Sequence, residues 1–151
     1  MVLLAADCFT YDPDPMNYPC SPESLYPGRY TFQKHYYPTV GNLKPQGEEF
    51  EFAQLLDWMP EVKVWVRNLE RRPLHSFWMQ TATDKFYPDF VCKLTDERYL
   101  VVEYKGHHLW SNADEQEKLR IGTVWEGKSG GKCLFVMPDG KDFEAIRAKI
   151  R

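Results

Sequence analysis

A chain of 151 residues with 43% hydrophobic and 27% charged residues has room for one domain with a core, but not for two. Its formal net charge of −3 argues against indiscriminate coating of nucleic acid, which draws on a large positive charge. The acidic excess lies in residues 1–60, which hold three basic against eight acidic residues, so the rest of the chain can still form a local basic surface. No apolar run approaches the length of a membrane span, and we expect no membrane partner.

The cysteines predict the compartment. Cys8, Cys20, Cys92 and Cys133 show neither a CxxC motif nor a paired spacing, which favours free thiols over a zinc site. Free thiols are typical of the reducing cytoplasm, so we expect a cytoplasmic protein. The short apolar start of the chain lacks the basic flank of a signal peptide.

Residues 1–47 differ from the rest of the chain. They hold seven of the 11 prolines and show no sustained helical or strand period. We predict an extended N-terminal arm and a single domain over residues 48–151. Two roles are open for the aromatic residues of the arm, which either pack on the domain or stack on bases or a partner protein: Tyr30, Phe32, Tyr36 and Tyr37.

The domain shows alternating helical and strand patterns. Residues 48–59 carry one apolar stripe at helical spacing, and Pro60 ends that helix. In residues 62–67, valines alternate with Lys63, Trp65 and Arg67, which predicts a strand. Further strands are predicted at 76–81, 89–94, 99–102 and 133–137, with helices at 112–125 and 142–150. The helix at 112–125 shows a broad apolar face made by Leu119, Ile121, Val124 and Trp125.

Three ionisable residues are predicted to meet at one end of a hairpin. The strands at 89–94 and 99–102 are joined by a four-residue polar turn, so antiparallel pairing brings Asp89 toward Glu103. Glu103 and Lys105 are two residues apart and share a face, with Tyr104 on the other. Buried charges are costly unless they are paired or bind a metal, so this arrangement points to a site. The alternative is a surface hairpin with a cross-strand ion pair of little consequence.

The chemistry that fits these residues is metal-assisted phosphodiester hydrolysis. Two carboxylates and a backbone carbonyl, here that of Tyr104, make the hard oxygen site that Mg²⁺ prefers, with Mn²⁺ as a substitute. A lysine beside them can orient the attacking water or neutralise charge on the phosphate. Arg67, Arg71 and Arg72 are candidates for phosphate contacts, or alternatively form a solvated basic loop. Lys118 either points toward the site or pairs with Asp114 at i−4.

The pattern Pro88-Asp89 followed by Glu103-Tyr104-Lys105 resembles the PD-(D/E)XK nuclease superfamily. A closer resemblance, over roughly residues 30 to 137, is to the C-terminal endonuclease domain of type III restriction enzymes, in their restriction subunit. The matching blocks are EFEFA at 49–53, LD at 56–57, Val62, WVRNL at 65–69, FYPDFV at 86–91, VVEYKG at 101–106, Asp114, EK at 117–118 and IG at 121–122.

This resemblance implies a fold, a site and partners. It implies a PD-(D/E)XK core, a central mixed β-sheet flanked by helices, with Asp89 and Glu103 as metal ligands and Lys105 as the catalytic lysine. The first core helix of the superfamily often supplies a further acidic ligand, for which Glu49 is the candidate and Glu48 the reserve. Family members carry a helicase-like ATPase and act with a methyltransferase partner on DNA.

The chain departs from the family in one respect, since it holds no GxxxxGK[ST] phosphate loop and has no room for an ATPase. It is therefore predicted to be either a fragment of a larger enzyme or a free-standing relative. Two other functions stay open: a catalytically idle binding or docking module, and a nuclease that acts on RNA. Double-strand cutting would need two active sites and hence a dimer or paired assembly.

Overall fold

A computed structural model describes residues 18–72, 75–105 and 112–151. Within these residues the chain forms a short 3₁₀ helix, Pro22–Ser24, and then three helices and six strands. The helices are α1 (Glu48–Trp58), α2 (Asn112–Gly127) and α3 (Phe143–Ile150). The strands are β1 (Val62–Arg67), β2 (Met79–Gln80), β3 (Lys85–Phe86), β4 (Phe90–Leu94), β5 (Tyr99–Val102) and β6 (Cys133–Val136).

The central sheet has four strands in the order β1-β4-β5-β6. β4 pairs antiparallel with both β1 and β5, while β6 joins β5 in parallel after the α2 crossover. β2 and β3 form a separate two-stranded sheet. The predicted class, α/β with a mixed central sheet flanked by helices, is confirmed, whereas the PD-(D/E)XK assignment stays a prediction.

Both faces of the central sheet are covered, because its strands alternate apolar side chains toward two separate cores. One core lies under α1 and α3 and holds Phe52, Leu56, Trp65, Phe90, Cys92, Leu100, Val102, Ile146 and Ile150. The other lies under α2 and the small sheet and holds Val66, Phe77, Phe86, Val91, Val101, Trp125, Cys133 and Phe135. The two central strands are therefore mostly apolar, with Lys93 of β4 as the charged exception.

A β-bulge changes the faces that alternation predicts for β1. The pairing register shifts between Val62 and Val64, so Val62 and Trp65 lie in the same core although an odd number of steps separates them. Val66 then faces the opposite core. Arg67 is the last residue of the strand and stays buried, with 7% of its surface exposed.

The apolar face of α2 differs from the predicted one. Leu119 and Val124 are exposed, at 51% and 43%, whereas Lys118 and Trp125 are buried. Gly122 lies between them on the buried face, where its missing side chain makes room for the ring of Phe135. The predicted face was right for Ile121 and Trp125, which pack in the second core, and wrong for Leu119 and Val124, because the buried side includes a lysine and a glycine.

The described part of the arm, residues 18–47, packs on the domain. Tyr37 is buried, while Tyr30, Phe32 and Tyr36 are half-buried against other rings. The arm also pairs with β1, since the Trp65 amide donates to Lys34 O at 3.1 Å and the Tyr36 amide donates to Trp65 O at 2.9 Å. Residues 1–17 and Cys8 with them lie outside the described residues.

Among the described residues, the helices are too short or too polar for any of them to cross a membrane. Cys20, Cys92 and Cys133 are free thiols, as predicted.

Candidate active site

The β4–β5 hairpin brings Asp89 and Glu103 together at one end of the sheet. Phe90 pairs with Val102 across the hairpin, and the two acidic residues follow directly beyond this pair. The Glu103 amide donates to Val136 O at 3.1 Å, so parallel β6 fixes the backbone at this end of β5. The juxtaposition that the short polar turn predicts is therefore present.

Asn68 holds the segment that carries Asp89, a role for which sequence reasoning gave no prediction. Its backbone amide donates to Asp89 O at 2.9 Å. Its buried side chain donates to Pro88 O and Phe77 O at 2.8 Å each and accepts from the Phe77 amide at 2.9 Å. A polar residue that directly follows a buried strand was the available signal, because a buried amide side chain requires several partners.

Three carboxyl groups form one cluster, contributed by Glu49 at the start of α1, by Asp89 and by Glu103. Asp89 interacts electrostatically with the carboxyl groups of both glutamates. Burial first, and the neighbouring Glu103 second, raise the pKa of Asp89 to about 7. Burial also raises the pKa of Glu49 and of Glu103, so the cluster attracts positive charge.

Arg67 supplies one positive charge to this cluster. Its Nη1 lies 3.3 Å from Asp89 Oδ1 and its Nη2 lies 3.2 Å from Glu49 Oε2. The Nη2 also donates to Asn42 O at 2.8 Å, and the guanidinium lies over the Phe90 ring at 5.1 Å. Arg67, predicted as a phosphate contact, is thus held between two of the predicted metal ligands.

Lys118 supplies the second positive charge, from the buried side of α2. Its Nζ donates to Glu103 Oε2 at 2.8 Å and lies 4.9 Å from the centroid of the Phe86 ring. Of the two roles that the sequence left open for Lys118, the structure shows the one directed at the site.

Lys105 follows Glu103 by two residues, but its ion pairs are with acidic residues outside the cluster. Its Nζ is 3.4 Å from Glu115 Oε2 and 3.8 Å from Asp139 Oδ2, and its side chain is 34% exposed. These three residues line a cavity of about 390 Å³ together with Gln116, Leu119 and Met137. Glu103 and Lys105 both reach toward α2, which agrees with their spacing of two along an extended backbone.

Tyr104 faces the other way and contributes its backbone to the site. Its ring packs against Phe52 at 5.7 Å, and burial followed by Glu48 raises the pKa of its phenol to about 12. Its amide donates to Asp89 Oδ2 at 2.8 Å, so this peptide lies next to the cluster. Glu48 therefore interacts with the phenol of Tyr104. Glu49, the preferred candidate for the further metal ligand, interacts with Asp89.

Arg71 and Arg72 lie on the surface, outside the carboxylate cluster. Arg71 Nη2 is 2.6 Å from Asp84 Oδ2, and the guanidinium lies 5.5 Å from the Tyr87 ring centroid. Arg72 Nε donates to Pro19 O at 3.0 Å, which ties the arm to this loop. Both side chains are exposed, as a phosphate contact or a solvated loop requires.

The donor set fits a divalent metal in its chemistry, since it consists of three carboxylates beside a backbone peptide. In the described part of the chain, however, no three acidic, histidine or cysteine side chains are arranged to hold an ion as they stand. Arg67 and Lys118 contact oxygens of these carboxyl groups that a metal would need. Loading would require one of these cations to shift.

Comparison with known proteins adds no family assignment. No protein-family model matches the chain. Neither a curated protein nor a solved structure matches it. A function for the chain is therefore inferred from the carboxylate cluster of Glu49, Asp89 and Glu103.

Proposed function

We propose that the chain is a metal-dependent endonuclease that hydrolyses DNA phosphodiester bonds, with a PD-(D/E)XK type of core. The observation that carries this proposal is the convergence of Glu49, Asp89 and Glu103 at one end of the sheet, beside a partly exposed lysine. Structural ion pairs rarely bring three carboxyl groups to one place, whereas metal-assisted phosphodiester hydrolysis uses such groups to hold its ions.

In this proposal Asp89 and Glu103 hold Mg²⁺ or Mn²⁺, with help from Glu49 and the Tyr104 carbonyl. The bound ion neutralises charge on the phosphate and lowers the pKa of water. Lys105, which is partly exposed, orients the attacking water and stabilises negative charge on the phosphate oxygens more strongly in the transition state than before it. Lys118 keeps Glu103 ionised and fixed in place.

The partners belong to the same proposal. DNA is the substrate, and the exposed Arg71 and Arg72 offer positive charge to its backbone. If the chain is part of a larger enzyme, a helicase-like ATPase loads the DNA and a methyltransferase subunit accompanies it. Cutting of both strands would need two copies of the site, which predicts a dimer or a paired assembly.

One observation favours a second candidate, a catalytically idle module that binds nucleic acid or a partner protein. Arg67 and Lys118 already neutralise much of the carboxylate charge, so the cluster can serve stability alone. The two candidates differ in metal dependence, because an idle module requires neither Mg²⁺ nor an ionised Glu103.

The test is cleavage of supercoiled plasmid, labelled single-stranded DNA and labelled RNA by the purified chain. Wild type, Glu103→Ala and Lys105→Ala are compared in Mg²⁺, Mn²⁺ and EDTA, with Glu97→Ala at the opposite end of the hairpin as the matched control. We expect wild type and Glu97→Ala to cut DNA only with metal, and the two site variants to lose about a hundredfold or more in rate.

Each outcome decides between the candidates. Cutting that persists in Glu103→Ala or in EDTA would remove the site assignment. Preferential cutting of RNA would change the substrate. Wild type that neither cuts nor binds metal would establish the idle module.

A further inference from the structure

Arg67 occupies the position at which a cation of the carboxylate cluster is expected. It is the last residue of β1, it is 7% exposed, and its two terminal nitrogens divide between Asp89 and Glu49. A divalent metal ligated by these two carboxylates would meet a guanidinium a few ångströms away. Two like charges at such a distance repel strongly inside a protein, so Arg67 and the metal compete for the same oxygens.

The guanidinium has a second class of ligand available to it. Arginine presents a planar fork of donors that binds phosphate as well as carboxylate. The present contacts do not use all of these donors, since Arg67 Nε is buried without a hydrogen-bond partner in the described structure. A buried donor left unpaired is unusual and leaves one nitrogen of the fork open to a further acceptor.

We propose that Arg67 is a positioning residue that couples metal binding to DNA binding, an inference that rests on the proposed function. Without substrate, Arg67 holds Glu49 and Asp89 and weakens their affinity for a divalent cation. When a DNA phosphate enters beside the cluster, the guanidinium turns from the carboxylates to the phosphate oxygens, and the metal takes its place. Arg67 thus forms an ion pair with the carboxylates in the free protein and contacts the phosphate in the complex with DNA.

Coupling of this kind is reciprocal. If DNA strengthens metal binding by a given factor, the metal must strengthen DNA binding by the same factor. A purely structural arginine would keep its carboxylate partners in every state, so its replacement would leave the coupling between metal and DNA unchanged.

The experiment titrates Mn²⁺ by calorimetry into the full chain, with and without a saturating DNA duplex. All proteins carry Lys105→Ala, which keeps the duplex intact, and Arg67→Gln and Arg67→Lys are compared in that background. Arg98→Gln is the control, because Arg98 is also ion-paired, to Asp96 at 2.8 Å, and is half-buried at the opposite end of the hairpin.

We expect Mn²⁺ to bind the background protein about tenfold more tightly when the duplex is present. Arg67→Gln is expected to bind Mn²⁺ about tenfold more tightly than the background without DNA, with the effect of the duplex reduced to less than about twofold. Arg67→Lys keeps the charge and should retain part of the coupling, and Arg98→Gln should match the background.

Equal Mn²⁺ affinity with and without the duplex in the background protein would overturn the inference, even if Arg67→Gln does not fold. Unchanged affinity and coupling in a folded Arg67→Gln would also overturn the inference. The proposed nuclease would remain intact in that case if the wild type, which retains Lys105, cuts DNA. Absence of Mn²⁺ binding in every protein would overturn the proposed function and this inference together.

Discussion

At the scale of residues, Lys118 and Lys105 have different surroundings. Lys118 Nζ is buried 2.8 Å from Glu103, whereas Lys105 is a third exposed and contacts Glu115 and Asp139 at longer distances. Exposed ion pairs contribute little to stability, but a buried carboxylate that loses its partner is strongly destabilising. Substitutions of Lys118 and Lys105 should therefore have different effects on stability and on cleavage.

We predict that Lys118→Met lowers the free energy of unfolding by about 3 kcal/mol or more, because it leaves Glu103 buried without its cation. Lys105→Met should change it by less than about 1 kcal/mol while abolishing DNA cleavage. Urea titration followed by fluorescence measures the first effect and the plasmid assay the second. Equal destabilisation by both substitutions would contradict this division of roles.

His35 links the arm to Arg67 and predicts a pH dependence. The Arg67 amide donates to its Nε2 at 3.0 Å, so the ring is neutral with its proton on Nδ1, which donates to Tyr37 O at 2.8 Å. Burial, the largest cause, lowers the pKa of His35 to about 4. The unfolded chain therefore binds a proton that the folded chain excludes between about pH 4 and 6.5.

We predict that wild type loses stability relative to His35→Gln, which keeps a donor and an acceptor, as the pH falls from 6.5 to 4. The full contribution of His35 is present above pH 6.5, and the loss amounts to at most roughly 3 kcal/mol at pH 4. Asp89 titrates oppositely, but it is present in both proteins and cancels in the difference. Parallel unfolding midpoints across this pH range would contradict the prediction.

At the scale of elements, the packing of α2 on the sheet depends on Gly122. A Cβ atom at this position would lie 2.3 Å from the ring of Phe135, which belongs to β6. Gly127, at the end of the same helix, has no atom within 4 Å of such a Cβ. The two glycines form a matched pair, because alanine favours the helical backbone equally at both.

We predict that Gly122→Ala destabilises the fold by about 1–3 kcal/mol, since the gain in helix propensity is smaller than the cost of overpacking. Gly127→Ala should leave stability unchanged or raise it by up to about 1 kcal/mol. Thermal unfolding of both variants measures the contrast. A stabilising Gly122→Ala would mean that α2 packs on β6 less closely than described.

Sequence patterns predicted most elements, and their failures have physical causes. Alternation in β1 and the apolar run of β5 predicted both strands with the bounds that the structure shows. β2 and β3 have two residues each, too few to produce a period, and β3 was not predicted. The exposed Leu119 was assigned to the core because apolar character alone does not reveal which face a neighbouring strand covers.

The candidate site was predicted only in part, because a sequence reveals local strand pairing but not the packing of distant elements. The hairpin places Asp89 and Glu103 by local pairing, which a sequence reveals. Arg67 meets Glu49 through the packing of α1 on β1, which a sequence does not state directly. The buried Trp65 on the same stretch of β1 was the available signal that Arg67 points inward.

At the scale of the whole molecule, the arm, α1 and β1 are joined through the buried carboxylate of Asp57. It accepts from the backbone amides of Gln33 and Lys34, from Tyr30 Oη and from Trp65 Nε1, at distances between 2.7 and 3.1 Å. The same arm supplies Asn42 O to Arg67. Docking of the arm therefore supports the position of the cluster cation.

We predict that Asp57→Asn destabilises the protein by about 1–3 kcal/mol for each donor that loses its acceptor, and exposes the arm to proteolysis. Asp84→Asn is the control, because its ion pair with Arg71 is exposed and should contribute little to stability. Limited proteolysis with identification of the cut sites measures the effect. An arm that stays as protected in Asp57→Asn as in wild type would contradict its docking through this carboxylate.

The proposed nuclease activity requires that the carboxyl groups of Glu49, Asp89 and Glu103 form a divalent metal centre. Calorimetric titration of Mn²⁺ into wild type, Asp89→Asn, Glu103→Gln and the control Asp96→Asn tests it directly. We expect one site in wild type and in Asp96→Asn, and affinity weakened by about tenfold or more in the other two variants. Equal Mn²⁺ binding in all four proteins, or none in wild type, would contradict the account.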